Sequence, residues 1–192
     1  IIGGINVNVT KDDIETKERR INTFQFYLLY FFVFSFLGWL METIYSFIVL
    51  GHFTERGFLY GPICPIYGYG ALILIIFLSK YKNKSLKLFI SSAIIFSIFE
   101  YFVSYLLEAL FNSFWWDYTN DFFNLNGRIS IFYSIAWGII AILFVGHFYP
   151  FIKKKIDVIL KKIPYRIQGF ALNTCFVIFI IDTLLSCIRY LH

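Results

Sequence analysis

Charge is scarce in this chain. Asp, Glu, Lys and Arg make up 15% of its 192 residues, where soluble domains carry about 25%. Cysteine is sparse as well. Cys64, Cys175 and Cys187 show no CxxC or Cys/His spacing, which argues against a zinc module or a disulfide framework. A Cys64–Cys187 bridge is the one pairing left open, because spacing alone cannot supply the geometry. His52, His147 and His192 share no spacing, so no metal site and no Ser/His/Asp triad is expected. The glycine-rich phosphate loop GxxxxGK[ST] is missing, so this sequence has no P-loop with which to hydrolyse ATP. Proline numbers four, and two of these, Pro62 and Pro65, fall in one short stretch.

What is abundant is apolar. Hydrophobic residues make up 59% and aromatics 22%, and the mean hydropathy is +0.70. Such a composition is built for lipid. The net charge of +5 does not point to nucleic acid, because the basic residues sit in short loops beside apolar runs. One loop holds Lys80, Lys82, Lys84 and Lys87, and another holds Lys153, Lys154, Lys155, Lys161, Lys162 and Arg166. Apolar runs over 26–50, 71–79, 88–111, 129–152 and 168–191 predict an all-α polytopic membrane bundle of about five transmembrane helices. Residues 1–25 are mixed-charge, lack the apolar core of a signal peptide and read as a polar cytoplasmic arm. Residues 26–192 form one transmembrane helical domain. The excess of lysine places both basic loops on the cytoplasmic side, so the N-terminus is expected inside and the C-terminus outside. The Asn8-Val9-Thr10 sequon then lies on the inner side and is disregarded.

The stretch 55–70 breaks this pattern. Gly57, Gly61, Gly68 and Gly70 remove Cβ atoms, Pro62 and Pro65 remove backbone donors, and a regular helix is not expected to run through it. It leads without a polar linker into the second apolar run, whose start is therefore expected to be partly re-entrant. Irregular backbone beside a span is tolerated only where protein or a watery cavity satisfies it. The segment is thus expected to line whatever site the protein has.

Four acids stand inside the apolar runs: Glu42, Glu100, Glu108 and Asp182. Each costs about 2.5–3.5 kcal/mol to insert at the centre of a span and needs a reason. Ser35, Gly38, Glu42 and Tyr45 share one helix face, as do Ala93, Ser97, Glu100, Ser104 and Glu108. Ser130, Ser134, Gly138 and Ala141 make a small-residue stripe that also suits plain helix packing. Glu42 and Glu100 are read either as site residues or as structural partners of Arg56 or Arg128, and Glu108 either as a site residue or as a snorkelling side chain. The loop 115–128 joins the Gly/Pro stretch on the expected outer side. Trp115 fits an interfacial belt, whereas Trp116, Asp117, Asn124 and Arg128 are read as candidates for the site. Arg56 and Arg128 could hold a phosphate or carboxylate, or could neutralise the embedded glutamates.

Several of these pieces together resemble a known family. Gly38-Trp39-Leu40-Met41-Glu42 is followed by the run Arg56-Gly57 through Gly61-Pro62, Cys64-Pro65 and Tyr67-Gly68. Glu100, Trp116-Asp117-Tyr118, Asn124, Gly127-Arg128-Ile129 and Trp137-Gly138 come after it. Over residues 38–138 the chain resembles the CmpB-like, type IV ABC-transporter family of bacterial multi-pass membrane proteins. Thr119 stands where that family's pattern has serine. The resemblance implies a permease component in the cell membrane, with membrane lipids and either a separate ATPase subunit or further copies of the chain as partners. No cofactor and no nucleic acid are implied. Gly57, Gly61, Pro62, Cys64, Pro65, Tyr67 and Gly68 would then form its structural loop.

Three functional classes fit the residues. A transporter would use the intramembrane acids and the broken second span as a path, although five spans are few and no inverted repeat is visible. An enzyme would use Glu42 or Glu100 as general acid or base, with Arg56 and Arg128 holding an anionic lipid or lipid-linked phosphate. An accessory subunit would use the polar residues only to hold helices together.

Overall fold

The structure is a computed structural model that describes residues 21–52 and 57–191. Most of the N-terminal arm, with Arg56 and His192, lies outside the described residues. Helix α1 (Thr23–Leu50) starts at Asn22, whose side chain accepts from the Gln25 amide (2.8 Å) while the Gln25 side chain reaches back to the Asn22 amide. This reciprocal cap satisfies two of the helix's orphan donors. Gly51, in the left-handed region at φ 74°, stops the helix. At about 1.5 Å per residue, α1 is about 42 Å long, enough to cross a hydrocarbon core of roughly 30 Å.

Helix α2 (Pro65–Ile73) passes into a π-helical turn (Leu74–Leu78) and a 3-10 turn (Ser79–Tyr81). Here the structure corrects the expected boundary. The helix begins inside the Gly/Pro stretch, because Pro65 occupies the first helical turn, where its missing N–H is no loss. Gly68 is tolerated in the helix because α1 presses on it. A Cβ there would sit 2.7 Å from Phe31 Cδ2 and 2.8 Å from the Phe31 carbonyl. The whole helical segment, Pro65–Tyr81, is shorter than the four long apolar helices.

Helix α3 (Ser85–Phe111) follows and ends at Asn112 in the left-handed conformation. A loop with a two-residue ladder follows, β1 (Asn124–Leu125) against β2 (Ile129–Ser130), with Asn124 opposite Ser130. Helix α4 (Ile131–Leu143) runs through a second π-helical turn (Phe144–Phe148) into α5 (Tyr149–Leu160). The basic stretch expected as a loop is therefore helical over Lys153–Lys155, its lysines exposed on α5. The last helix, α6 (Tyr165–Leu191), closes the chain.

Thr23–Leu50, Ser85–Phe111, Ile131–Leu160 and Tyr165–Leu191 are each long and apolar enough to cross a membrane. With α2 they make an all-α, multi-pass membrane bundle. Its two ends differ. At the lysine end lie the α2–α3 connection and α5 with its exposed Lys153–Lys155. At the Gly/Pro end lie the loop after α1, the loop after α3 and the C-terminus of α6, joined by a cluster of rings from Phe58, Phe111, Trp115 and Tyr190. All three cysteines are free.

Candidate functional site

The loop between α1 and α2 turns back into the bundle. Its last residue, Cys64, donates its amide to the Ser35 carbonyl (3.0 Å). Ser35 lies near the middle of α1, so α2 begins about halfway along its neighbour. The irregular backbone on the way in is satisfied by α6. Asp182 accepts from the amides of Tyr60 (3.0 Å) and Gly61 (2.9 Å) and also from Ser186 Oγ (3.2 Å). Arg189 donates to the Phe58 carbonyl (2.9 Å), with its guanidinium 4.1 Å from the Tyr60 ring centre. Gly61 is required at its position because a Cβ there would lie 2.9 Å from Asp182 Oδ2. Gly57, at φ 94°, lies in this loop in a conformation that favours glycine, and Pro62 stays exposed.

Two of the acids converge on the space beside the start of α2. Glu42 on α1 accepts from Tyr67 Oη on α2 (2.7 Å). Tyr67 can lie there because its ring packs over Gly38. Glu100 on α3 is buried and accepts on both oxygens, from Tyr118 Oη (3.0 Å) and from Trp137 Nε1 (3.0 Å) on α4. Helix α2 comes close to α3 one turn away, where a Cβ on Gly70 would lie 3.2 Å from the Phe96 ring. Tyr118 lies in the loop after α3 and stacks on Tyr133 with ring centres 4.1 Å apart. Burial, then the nearby Glu100 carboxylate, pushes its hydroxyl far above the ordinary phenol range, so it keeps its proton and donates. Among the described residues no three His, Cys, Asp or Glu side chains gather as a metal site would need.

The other candidates build the rim. Arg128 pairs with Glu108, donates to Ser104 Oγ (3.3 Å) and lies over the rings of Tyr101 and Tyr105. Trp116 Nε1 donates to the Arg128 carbonyl (3.0 Å). Asp117 caps Thr119, accepting from its amide (2.9 Å) and its hydroxyl, and these bonds hold the exposed carboxyl below its usual range. Asn124 donates to the carbonyls of Thr119 and Asp121 and accepts from the Gly127 amide. Trp116, Asp117 and Asn124 thus shape the loop that delivers Tyr118 to Glu100.

Sequence reasoning brought Glu42 and Glu100 to one site but assigned no role to Tyr118, Trp137, Ser186 or Arg189. Trp137 carried a signal, a lone indole in an aliphatic helix one residue before Gly138. Arg189 carried one too, as a cation at the end of an apolar run. Asp182 was grouped with the other acids, whereas the structure uses it to hold the loop.

No curated protein and no solved structure matches the chain. A family model described as "Putative ABC-transporter type IV" matches residues 29–187. That match extends the resemblance of 38–138 from α1 into α6 and takes in both carboxylates, their aromatic partners and Asp182. The chain is therefore a transporter-like membrane protein that belongs to the family so described.

Proposed function

We propose that the chain is the permease component of a transporter, and that its translocation site is the polar centre built by Glu42, Tyr67, Glu100, Tyr118 and Trp137. One observation carries this reading: a half-length helix starts midway along α1 and donates through Tyr67 to the Glu42 carboxylate within the apolar bundle, which also buries a second carboxylate, Glu100. Broken helices that begin near mid-depth are how many transporters place a site inside a bundle. The Gly/Pro end opens outward, with the Glu108–Arg128 pair at its rim, and the lysine end faces the cytoplasm, as the positive charge directs. The site takes a polar solute, and a separate ATPase subunit docks at the lysine end, since this sequence carries no P-loop.

The test is solute uptake into vesicles that contain the purified chain, screened over cationic, anionic and neutral metabolites, with and without ATP and the host's ATPase subunits. Uptake by the wild type that falls at least tenfold in Glu100→Gln supports the reading. Vesicles that take up no solute faster than chain-free vesicles overturn it.

A further inference from the structure

Ile178, Ile181, Asp182 and Leu185 recur at three- and four-residue spacing and share one face of α6. With Tyr60 of the loop before α2 they line a groove of about 410 Å³ on the surface of the bundle. Arg189 is the next position on that face, one turn beyond Leu185 and close to the end of the helix. Its guanidinium lies 4.1 Å from the ring centre of Tyr60, which is itself part of the groove, and 4.6 Å from that of Tyr190. Nη2 donates to the Phe58 carbonyl (2.9 Å) and to Tyr190 Oη (3.0 Å), and Nε is buried without a partner.

Among the described residues no carboxylate pairs with Arg189, and its Nη1 has no hydrogen-bond partner. Arg128 differs in this respect, because Glu108 neutralises it. Asp182, the acid on the same face as Arg189, has both oxygens engaged by Tyr60, Gly61 and Ser186. A cation beside hydrocarbon needs a counter-ion or a path to the interface. A guanidinium that rests on rings and keeps a free N–H edge is suited to a phosphate.

Groove and cation together select the ligand. From Ile178 to Leu185 the groove runs about 10 Å along α6, at about 1.5 Å per residue. Its wall is apolar apart from Asp182, whose oxygens are held by the loop amides. Arg189 stands above it at the helix end, the level at which a headgroup lies. We propose that this face binds one phospholipid with an anionic headgroup, its phosphate paired with Arg189 and an acyl chain laid along the groove beside Tyr60. A zwitterionic headgroup brings its own ammonium and pairs with the guanidinium less favourably. The lipid also acts on the loop. Tyr60 is held through its amide by Asp182 and through its ring by Arg189, so a phosphate that fixes the guanidinium closes the same clamp from the lipid side.

This site uses none of the residues of the proposed translocation site and stands or falls without it. The test is amide exchange at Tyr60 and Gly61 of the purified chain, in discs of phosphatidylcholine alone and in discs that also contain phosphatidylglycerol. Phosphatidylglycerol should slow exchange in the wild type about tenfold, as a ligand that binds only the closed loop does, and leave the middle of α3 unchanged. Arg189→Gln removes the charge, and Leu185→Trp fills the groove while keeping Arg189; each should abolish the slowing. In phosphatidylcholine alone Leu185→Trp should exchange like the wild type, which separates a lost lipid from a loosened loop. Native mass spectrometry from micelles that contain phosphatidylglycerol should retain one more such lipid on the wild type than on Leu185→Trp. Wild-type exchange that is equal in the two discs, or slowing that survives both variants, overturns the proposal. A wild-type dimer that Leu185→Trp converts to a monomer, with exchange indifferent to phosphatidylglycerol, gives the groove to a second copy and overturns it too.

Discussion

The Cys64 amide donates to the Ser35 carbonyl at 3.0 Å, and this one bond places the start of α2 at the middle of α1. The contact is possible because nothing but hydrogen stands on the Cα of Gly68, one turn further on. Gly68→Ala is expected to force α1 and α2 apart and to cost about 1–3 kcal/mol, as overpacking does. Gly146→Ala is the control, since a Cβ there meets nothing within 4 Å. Thermal unfolding in detergent should show a lowered midpoint for the first variant and none for the second. Equal midpoints would mean that the helix pair is not tightly closed at Gly68.

Asp182 and Arg189 are expected to hold the loop independently of the helices around it. Asp182→Ala leaves the Tyr60 and Gly61 amides without their side-chain acceptor and so frees the loop backbone. Amide exchange at Tyr60 and Gly61 should accelerate by at least tenfold, while exchange in the middle of α3 stays unchanged. Acceleration spread evenly over the bundle would show instead that Asp182 supports the whole fold.

Much of the fold was legible because membrane helices announce themselves locally. Three of the four long helices end within about three residues of their apolar runs, the fourth runs on through Lys153–Lys155 to Leu160, and the Gly/Pro stretch is irregular as far as Cys64. The start of α2 was misplaced because proline and glycine were weighed as helix breakers. Their other roles, at the first helical turn for Pro65 and at a close approach for Gly68, depend on a neighbour that local pattern does not show. The clamp of Asp182 on Tyr60 joins residues 122 positions apart, beyond any periodicity.

The loop that carries Tyr118 should loosen in acid. Thr119 holds the Asp117 carboxyl below its unfolded value, which lies near 3.9 for an ordinary aspartate. A depressed folded value means that the stabilisation is fully present above the unfolded value and is lost as pH falls through the folded one. Fluorescence of Trp116, followed from pH 7 downward in a protein that keeps only this tryptophan, should change below about pH 4. Thr119→Val should move that change to higher pH. A transition unmoved by Thr119→Val would assign it to another carboxyl.

The orientation inferred from charge has its own test. A cysteine at Asn83, an exposed position at the lysine end, in a chain with Cys175 and Cys187 changed to serine, should resist membrane-impermeant thiol reagents in intact cells and react after lysis. A cysteine at Asn126, in the exposed loop at the other end, should react in both. The reverse pattern would invert the bundle and place the Gly/Pro end inside.

Two indole donors allow the two halves of the site to be weighed against each other. Trp137 donates to a buried carboxylate, Trp116 to a backbone carbonyl, each at 3.0 Å. Hydrogen bonds to charged groups contribute about 1.5–3 kcal/mol, and neutral ones about 0.5–1.5 kcal/mol. Trp137→Phe keeps a ring to stack on Phe96 and removes only the donor, so it isolates that bond. It should therefore destabilise the protein more than Trp116→Phe in denaturant titrations. Adding Glu100→Gln to Trp137→Phe should recover part of the loss, because the group left short of a donor is then neutral. If the two tryptophan variants lose the same stability and Glu100→Gln recovers none of it, Glu100 is not held as an ion, and its second oxygen has no need of the indole.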